Sequence, residues 1–178
     1  DVEVHRKKII AKYTVHLGYQ YPIREIRYNL PERGEIAQDF LQDTLSLLIQ
    51  KGDYLSESIL EKASEQSASV LRQKGYYGLS KNYYSFVADT LKYPGEAILD
   101  FNIKEYTRNE TSKEASVLQK YNFGKVSISY PDNFKINEKV LKNLNTIHPG
   151  QAYSEEAVNN TYNRLSALRS LSSVTVSL

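Results

Sequence analysis

From residue 52 the chain reads Gly52-Asp53-Tyr54-Leu55-Ser56-Glu57-Ser58-Ile59-Leu60, and this stretch decides the fold. A closely similar stretch begins further on and reads Gly150-Gln151-Ala152-Tyr153-Ser154-Glu155-Glu156-Ala157-Val158. In both, a glycine turn precedes a serine that can accept hydrogen bonds from the first N–H groups of a helix, and acidic residues favoured by the helix dipole follow. The two stretches therefore predict the same turn and helix start, with Gly52 and Gly150 in the turns and Ser154 as the second cap.

A second pair of similar stretches, residues 21–30 and 121–130, precedes these two. Apolar residues alternate at matching places, so that Ile26 and Tyr28 correspond to Val126 and Ile128. Alternation with a period of two indicates a half-buried strand. Because both pairs occur in the same order, one structural unit is expected to occur twice.

Composition limits the classes of protein to consider. The 178 residues suffice for two small domains, and 23 basic residues against 21 acidic ones indicate neither nucleic acid nor an anionic membrane as partner. No cysteine is present, which excludes disulfides and thiolate chemistry. The longest apolar cluster, at 45–49, is far shorter than the ~18 residues of a membrane span. The absence of methionine predicts an excised fragment or a processed protein.

The first unit has the order β-α-α-β-β over residues 21–106. Its strand, two helices and hairpin are predicted at 21–30, 36–50, 56–75, 83–90 and 96–105. Gly75 is expected to close the second helix in a left-handed conformation. The fold class is therefore α+β, with a three-stranded mixed sheet and two helices on one face.

The rest of the chain divides around this unit. Residues 107–120 are polar without a sustained period and predict a linker. The second unit, 121–178, has a strand, a short helix near 137–144, a helix at 154–171 and a strand at 173–178, but no final hairpin strand. Within residues 1–20, the segment 6–17 alternates like 96–105 and is interpreted as the last strand of a preceding unit. Each orphan edge invites pairing with another chain, with the N-terminal strand as the expected donor.

Residues typical of catalysis are scattered. His5, His16 and His148 fall in different predicted elements, without the spacing of metal ligands. Neither a phosphate-binding loop nor a nucleophile elbow is present. The sequence therefore predicts a protein that is not an enzyme and holds no metal or cofactor.

An RNA-binding alternative remains open. Residues 75–78 form a G-x-x-G, and KH-type RNA-binding domains also begin β-α-α-β-β. In KH domains this loop joins the two helices, whereas here it precedes a strand and has a basic side chain only at Lys74.

The whole pattern resembles tandem POTRA domains, which precede the membrane barrel of BamA- and TamA-type outer-membrane proteins of the Omp85 superfamily. The resemblance covers nearly the whole chain, and the details around residues 71–77 and 89 are closest to TamA-like proteins. The second copy departs from the pattern at Ser172-Ser173, which replaces Gly-Tyr. The motifs that carry the resemblance are Lys51-Gly52-Asp53-Tyr54, Leu71-Arg72-Gln73-Lys74-Gly75-Tyr76-Tyr77, Asp89-Thr90, Pro149-Gly150-Gln151-Ala152-Tyr153-Ser154-Glu155-Glu156 and Arg164-Leu165.

The resemblance implies a periplasmic scaffold that receives unfolded outer-membrane or secreted polypeptides and positions other assembly proteins. Membrane attachment would come only through a barrel or anchor outside this chain, and no nucleic acid would be bound. An exposed strand edge can add an extended segment by main-chain hydrogen bonds. With the strand order of the family, that edge is the strand 83–90, with Tyr83, Tyr84, Phe86 and Asp89 as candidate binding residues.

Overall fold

The computed structural model describes residues 2–5, 8–11, 13–15, 18–45, 49–104, 118–130 and 136–178. The chain is α+β, as predicted, and its largest sheet has three strands.

The N-terminal residues form a small antiparallel hairpin. Strand β1 (Val2–His5) pairs with β2 (Lys8–Ala11), with Val4 opposite Ile9. The single strand predicted over 6–17 is wrong for the described residues, because 13–15 lie outside any strand. The described strand residues of this segment, Lys8–Ala11, pair with Val2–His5, so the segment forms one arm of a short hairpin and not a single long strand. Residues 6–7, 12 and 16–17 lie outside the described part of the chain.

The main sheet consists of β3 (Ile23–Asn29), β4 (Tyr84–Asp89) and β5 (Ala97–Ile103) in the order β3-β5-β4. β4 and β5 are antiparallel and adjacent in the chain, as in a hairpin, whereas β3 and β5 are parallel. A parallel pair requires a long crossover, which the two helices between them provide. Of these three strands, the last in chain order, β5, is therefore the central strand of the sheet.

Two helices cover the inner face of this sheet, α1 (Ile36–Asp43) and α2 (Glu57–Gln73). The Ser56 hydroxyl accepts from the Ile59 amide at 3.3 Å and caps α2, as the sequence predicts. The helical pattern predicts α1 as far as residue 50, but the described helix ends at Asp43, and residues 46–48 lie outside the described part of the chain. At this end the Phe40 carbonyl accepts from both the amide and the hydroxyl of Thr44, at 3.0 and 2.6 Å.

Aromatic rings hold the sheet and helices together. The ring centroid of Phe101, on the central strand, lies 5.4 Å from that of Phe40 on α1 and 5.6 Å from that of Tyr28 on β3. Tilted and edge-to-face pairs at these distances contribute beyond the area they bury. The core is therefore centred on the middle strand, where the sheet has neighbours on both sides.

The C-terminal part contains α3 (Glu138–Leu144) and α4 (Glu155–Ser166). Helix α4 ends at Ser166 instead of the predicted residue 171. The sequence predicts strands at 121–130 and 173–178, but neither segment forms a strand ladder within the described residues. A ladder needs a partner, and no third strand lies between them in the described part of the chain.

The same hydrogen bonds surround the two glycine turns. The Gly52 amide donates to the Ile23 carbonyl at 2.8 Å, and the Ile23 amide donates to the Asp53 carbonyl at 2.8 Å. In the later stretch, Gly150 donates to Phe123 at 2.7 Å and Phe123 donates to Gln151 at 2.8 Å. Positive φ angles of 97° at Gly52 and 80° at Gly150 make these turns favour glycine. The turn therefore ties each extended segment to the helix start that follows it.

Candidate functional site

The outer edge of β4 is the candidate binding surface. The sheet order places β4 and β3 at the two edges. The beginning of β3 is covered, because Pro22 forms a bridge with Tyr54. Within the described residues, β4 has a partner only on its inner side, where β5 lies. An edge of this kind presents main-chain donors and acceptors that can pair with another strand.

The register shows which main-chain groups face outwards. The Lys104 amide donates to the Tyr83 carbonyl at 2.8 Å, next to the Tyr84–Ile103 pair. Because hydrogen-bonded and non-bonded pairs alternate in an antiparallel ladder, the amides of Ser85 and Val87 point towards β5. Those of Tyr84, Phe86 and Ala88 then point away from the sheet.

Two of the candidate residues, Tyr84 and Phe86, have their side chains directed towards the helices. Tyr84 is 8% exposed, and its hydroxyl lies 2.8 Å from the Ser67 hydroxyl of α2. Burial raises the pKa of Tyr84 to about 12, so the phenol stays protonated at neutral pH. The Phe86 ring is half-buried and lies 5.0 Å from the ring of Phe101. With their side chains on the helix side, Tyr84 and Phe86 can contact a partner strand through their outward-pointing main-chain groups.

The other two candidates lie at the ends of β4. Tyr83 is half-buried and ends a 3₁₀ turn, Lys81–Tyr83, that leads into the strand. The exposed Asp89 carboxylate accepts from the Leu91 amide at 2.9 Å and the Lys92 amide at 3.2 Å. These backbone hydrogen bonds hold the pKa of Asp89 below its usual range. The ends of the edge are thus fixed by local turns.

Two further residues of β4, Val87 and Ala88, are exposed but are not among those predicted from the sequence. Val87 has 58% of its surface exposed, on the sheet face opposite the helices. For Val87, the alternation with Tyr84 and Phe86 was the available signal, because side chains of neighbouring strand residues point to opposite faces. Ala88 lies on the same side of the strand as Tyr84 and Phe86, near the end of β4.

A second feature is the joint between the first sheet unit and the C-terminal helices. The Gln73 side-chain oxygen, at the end of α2, accepts from the Ser154 hydroxyl at 2.7 Å and from the Glu156 amide at 2.9 Å. Ser154 also caps α4 by accepting from the Ala157 amide at 3.3 Å. A residue of one helix therefore completes the N-terminal cap of the other.

Charge and aromatic contacts strengthen this joint. Arg72 Nε lies 2.8 Å from Glu155 Oε2, in a geometry that makes an ion pair without an aligned hydrogen bond. The Tyr77 ring lies 5.1 Å from that of Tyr153 and 6.3 Å from that of Tyr121, both edge-to-face. Within the described residues, the joint thus combines a cap, an ion pair and three rings in edge-to-face contact.

The backbone closes the joint at Gly75. Its φ angle is 108°, and its carbonyl accepts from the Tyr121 amide at 2.9 Å. A Cβ at this position would lie 3.2 Å from the Lys120 Cβ. Gly75 is therefore required both by its conformation and by the close approach of the segment that begins the C-terminal part.

A buried carboxylate, Asp39 of α1, anchors the end of the predicted linker. Asp39 accepts from the Tyr76 hydroxyl at 2.7 Å and pairs with Lys120 at 2.8 Å and with Lys74 at 3.3 Å. Burial alone would raise the pKa of Asp39, but the hydrogen bonds from Lys120, Tyr76 and Lys74 together keep it below its usual range. The carboxylate therefore stays charged and holds both lysines in place.

The described part of the chain contains neither a cluster of metal-ligating side chains nor a helix that could span a membrane. No group of three or more His, Cys, Asp or Glu side chains is close enough there to hold a metal ion. Among the described helices, none combines the length and the apolar character needed to cross a bilayer.

Comparison with solved structures identifies the fold. A crystal structure of Haemophilus influenzae BamA POTRA3-5 matches with a TM-score of 0.58 and 16% sequence identity. The match covers 98% of this chain and 62% of that chain. No protein-family model matches the sequence, and no curated protein matches it. The likeness shows the POTRA fold, with its three-stranded mixed sheet and helices on one face.

Proposed function

We propose that this chain is a non-enzymatic, polypeptide-binding scaffold, made of POTRA-like units, in an outer-membrane assembly or translocation factor. The observation that carries the proposal is the open outer edge of β4, which lies beside a buried hydrophobic core. The POTRA fold supports the proposed setting, which is the periplasm. Its partners there would be unfolded outer-membrane or secreted polypeptides and other assembly proteins.

The proposed binding mode is strand addition. An extended segment lies along β4 and exchanges hydrogen bonds with the main-chain groups of Tyr84, Phe86 and Ala88. Main-chain bonding depends little on the sequence of the partner, which suits a factor that handles many polypeptides. Val87 adds an exposed apolar contact on the outer face.

The proposed division of the chain is 21–106 and 121–178, after a remnant of an earlier unit in 1–20. The matching hydrogen bonds around Gly52 and Gly150 support it. The segment predicted as the linker, 107–120, lies outside the described residues up to 117, but its end is attached to Asp39. The two units would therefore present their surfaces at a fixed angle.

Binding of RNA through the G-x-x-G of residues 75–78 finds no favouring observation. The basic side chain directly before it, Lys74, pairs with Asp39 and Asp43. Tyr76, within the loop, is 1% exposed. A phosphate backbone would have to compete with two carboxylates for the same lysine.

The test uses the full chain and a nine-residue synthetic peptide from an outer-membrane β-barrel strand, titrated by calorimetry and by amide chemical shifts. Ala88→Pro removes one outward N–H while keeping the inner ladder intact, since proline is tolerated on the free side of edge strands. Losing one edge hydrogen bond and adding the ring should weaken binding about tenfold. Ala88→Val, which keeps the N–H, is the matched control and should bind like the original chain.

Equal binding by Ala88→Pro and Ala88→Val, or shifts confined to residues away from β4, would overturn the proposed edge. A single-stranded RNA oligonucleotide is titrated in parallel. Submicromolar RNA binding that weakens steeply with salt would replace the proposal with the RNA-binding alternative.

A further inference from the structure

One flank of helix α2 lies on the side of the open β4 edge. Helix α2 covers β4, where the Ser67 hydroxyl lies 2.8 Å from the Tyr84 hydroxyl. Helix α1 covers β3, at the opposite edge of the sheet, where the rings of Phe40 and Tyr28 are 5.6 Å apart. The flank of α2 that faces away from α1 is therefore the flank next to the β4 edge.

This outer flank carries a row of carboxylates. Lys74, at the end of α2, pairs with Asp39 of α1 and so marks the flank that faces α1. Glu65 precedes Lys74 by about two and a half helical turns and therefore points to the opposite flank. Glu61 and Glu57 lie one and two turns before Glu65 on the same flank, because residues four apart are neighbours on a helix surface.

The acidic row lies beside the start of β4 and is only partly neutralised. All three carboxylates are on exposed residues. Lys81, in the turn that leads into β4, pairs with Glu61 at 2.5 Å and with Glu65 at 3.6 Å. Its hydrogen bond lowers the pKa of Glu61, so this carboxylate is charged at neutral pH. Among the described residues Lys81 is the basic side chain that pairs with the row, which leaves three negative charges facing one positive charge.

The helix-side surface of β4 next to this row is apolar. Phe86 is half-buried and Ala88 is exposed there. A strand added at the edge would lie about 4.8 Å beyond β4 and would direct every second side chain to the helix side. Lysine or arginine at such a position can lay its aliphatic stem on Phe86 and Ala88 while its charged end reaches the carboxylates.

The spacing of the carboxylates also fits an extended partner. Carboxylates one helical turn apart, such as those of Glu61 and Glu65, start about 6 Å apart along the helix axis. Alternate residues on one face of a strand are about 6.7 Å apart. Two basic side chains two residues apart in the partner can therefore pair with two carboxylates of the row.

We propose that the segments bound at the β4 edge carry lysine or arginine at alternate positions, facing the row of Glu57, Glu61 and Glu65. The intervening positions face the other side of the sheet, where Val87 is 58% exposed and favours an apolar neighbour. The row selects among segments that main-chain hydrogen bonds alone would accept equally, because complementary charge provides specificity. This selectivity rests on the proposed function, since it specifies which polypeptides the edge binds.

Three nine-residue peptides test the selectivity on the full chain. They share one alternating sequence and differ only at two positions, two residues apart, which carry lysine, glutamine or glutamate. In calorimetry at low salt, the lysine peptide should bind about fivefold more tightly than the glutamine peptide and the glutamate peptide about fivefold more weakly, because exposed charge pairs are individually weak. At about 1 M salt, where the screening length is about 3 Å, the three affinities should converge.

Two double variants separate the acidic row from the overall charge. Glu61→Gln with Glu65→Gln should lose the preference, so that the three peptides bind within about twofold of one another. Glu138→Gln with Glu156→Gln is the matched control, because it removes the same charge from α3 and α4 in the C-terminal part. This control should keep the order of the three affinities. Circular dichroism checks that both variants retain the fold.

Amide chemical shifts of β4 distinguish failure of the selectivity from failure of the proposed function. Equal binding of the three peptides with shifts at β4 would overturn the selectivity and leave strand addition intact. A preference that survives in Glu61→Gln with Glu65→Gln, or that disappears in the control, would also overturn it. Absence of binding by all three peptides would overturn the proposed function and the selectivity together.

Discussion

Asp39 shows how a single buried charge can connect two parts of a chain. Its carboxylate accepts a hydrogen bond from the Tyr76 hydroxyl, in the loop after α2, and forms an ion pair with Lys120, just before residue 121. A charge of this kind is stabilising only while all its partners are present, because an unpaired buried charge is costly. The sequence contains no periodic signal for such a cluster, since its members lie far apart in the chain.

Asp39→Asn should lower the free energy of unfolding by about 1–3 kcal/mol, because both lysines would face a neutral amide. Asp43→Asn is the matched control on the same helix. The Asp43 side chain is 38% exposed, so its pairing with Lys74 should contribute less than about 1 kcal/mol. Urea unfolding of both variants at neutral pH measures the difference, and equal losses would contradict the special role of Asp39.

The pH dependence of stability follows from the lowered pKa of Asp39. A carboxyl whose pKa is lower in the folded chain contributes its full stabilisation above its unfolded pKa of about 3.9. That contribution is lost as the pH falls through the folded pKa. The difference in stability between the original chain and Asp39→Asn should therefore shrink on acidification, as urea unfolding at a series of pH values would show. A difference that stays constant from neutral pH to about pH 2 would contradict this account.

Gly75 and Gly78 provide a comparison between two glycines in one loop. Both have positive φ, at 108° and 77°, but only Gly75 has neighbours within 4 Å of the place that a Cβ would occupy. Gly78→Ala should cost about 1–2 kcal/mol from the backbone conformation alone. Gly75→Ala should cost more, because the methyl group also pushes against Lys120. Thermal unfolding of the two variants measures the loss of stability in each. A larger loss for Gly78→Ala would contradict the close approach of Lys120 to Gly75.

At the scale of elements, local patterns predicted much of the first sheet unit. The alternation around Ile26 and Tyr28 predicted β3, and Ser56 predicted the start of α2. The apolar spacing extends α1 to residue 50, because no glycine or proline between Gly34 and Gly52 marks an earlier end, whereas the described helix ends at Asp43. Helical periodicity therefore predicts the presence of a helix better than its last residue.

The sequence predicts which strand forms the candidate edge, but it does not predict which side chains of that strand are exposed. The aromatic residues Tyr84 and Phe86 are predicted from the sequence as binding residues, yet both side chains face the helices. Aromatic side chains on a strand with one covered face are favoured on the buried side, where they bury the most area. The main chain of β4 and the exposed Val87 were available from the same alternation.

At the scale of the whole molecule, the joint fixes the orientation of the C-terminal helices. Tyr77→Ala would remove two ring contacts, each contributing about 0.5–1.5 kcal/mol. We expect a wider distribution of distances between spin labels placed on α2 and α3. Tyr162→Ala, at a tyrosine of α4 that is 46% exposed, is the control. Identical distributions for both variants would show that the rings do not limit the motion.

The ring cluster of Tyr77, Tyr121 and Tyr153 also has an optical consequence. The sequence contains 15 tyrosines and no tryptophan, so excitation at the red edge of protein absorption finds no natural chromophore. Replacing Tyr121 by tryptophan would place the only indole of the protein where α2 meets the C-terminal part. The wavelength of its emission maximum would then report the solvent exposure of that contact alone. Separation of the two parts could be followed by stopped-flow fluorescence without any attached dye.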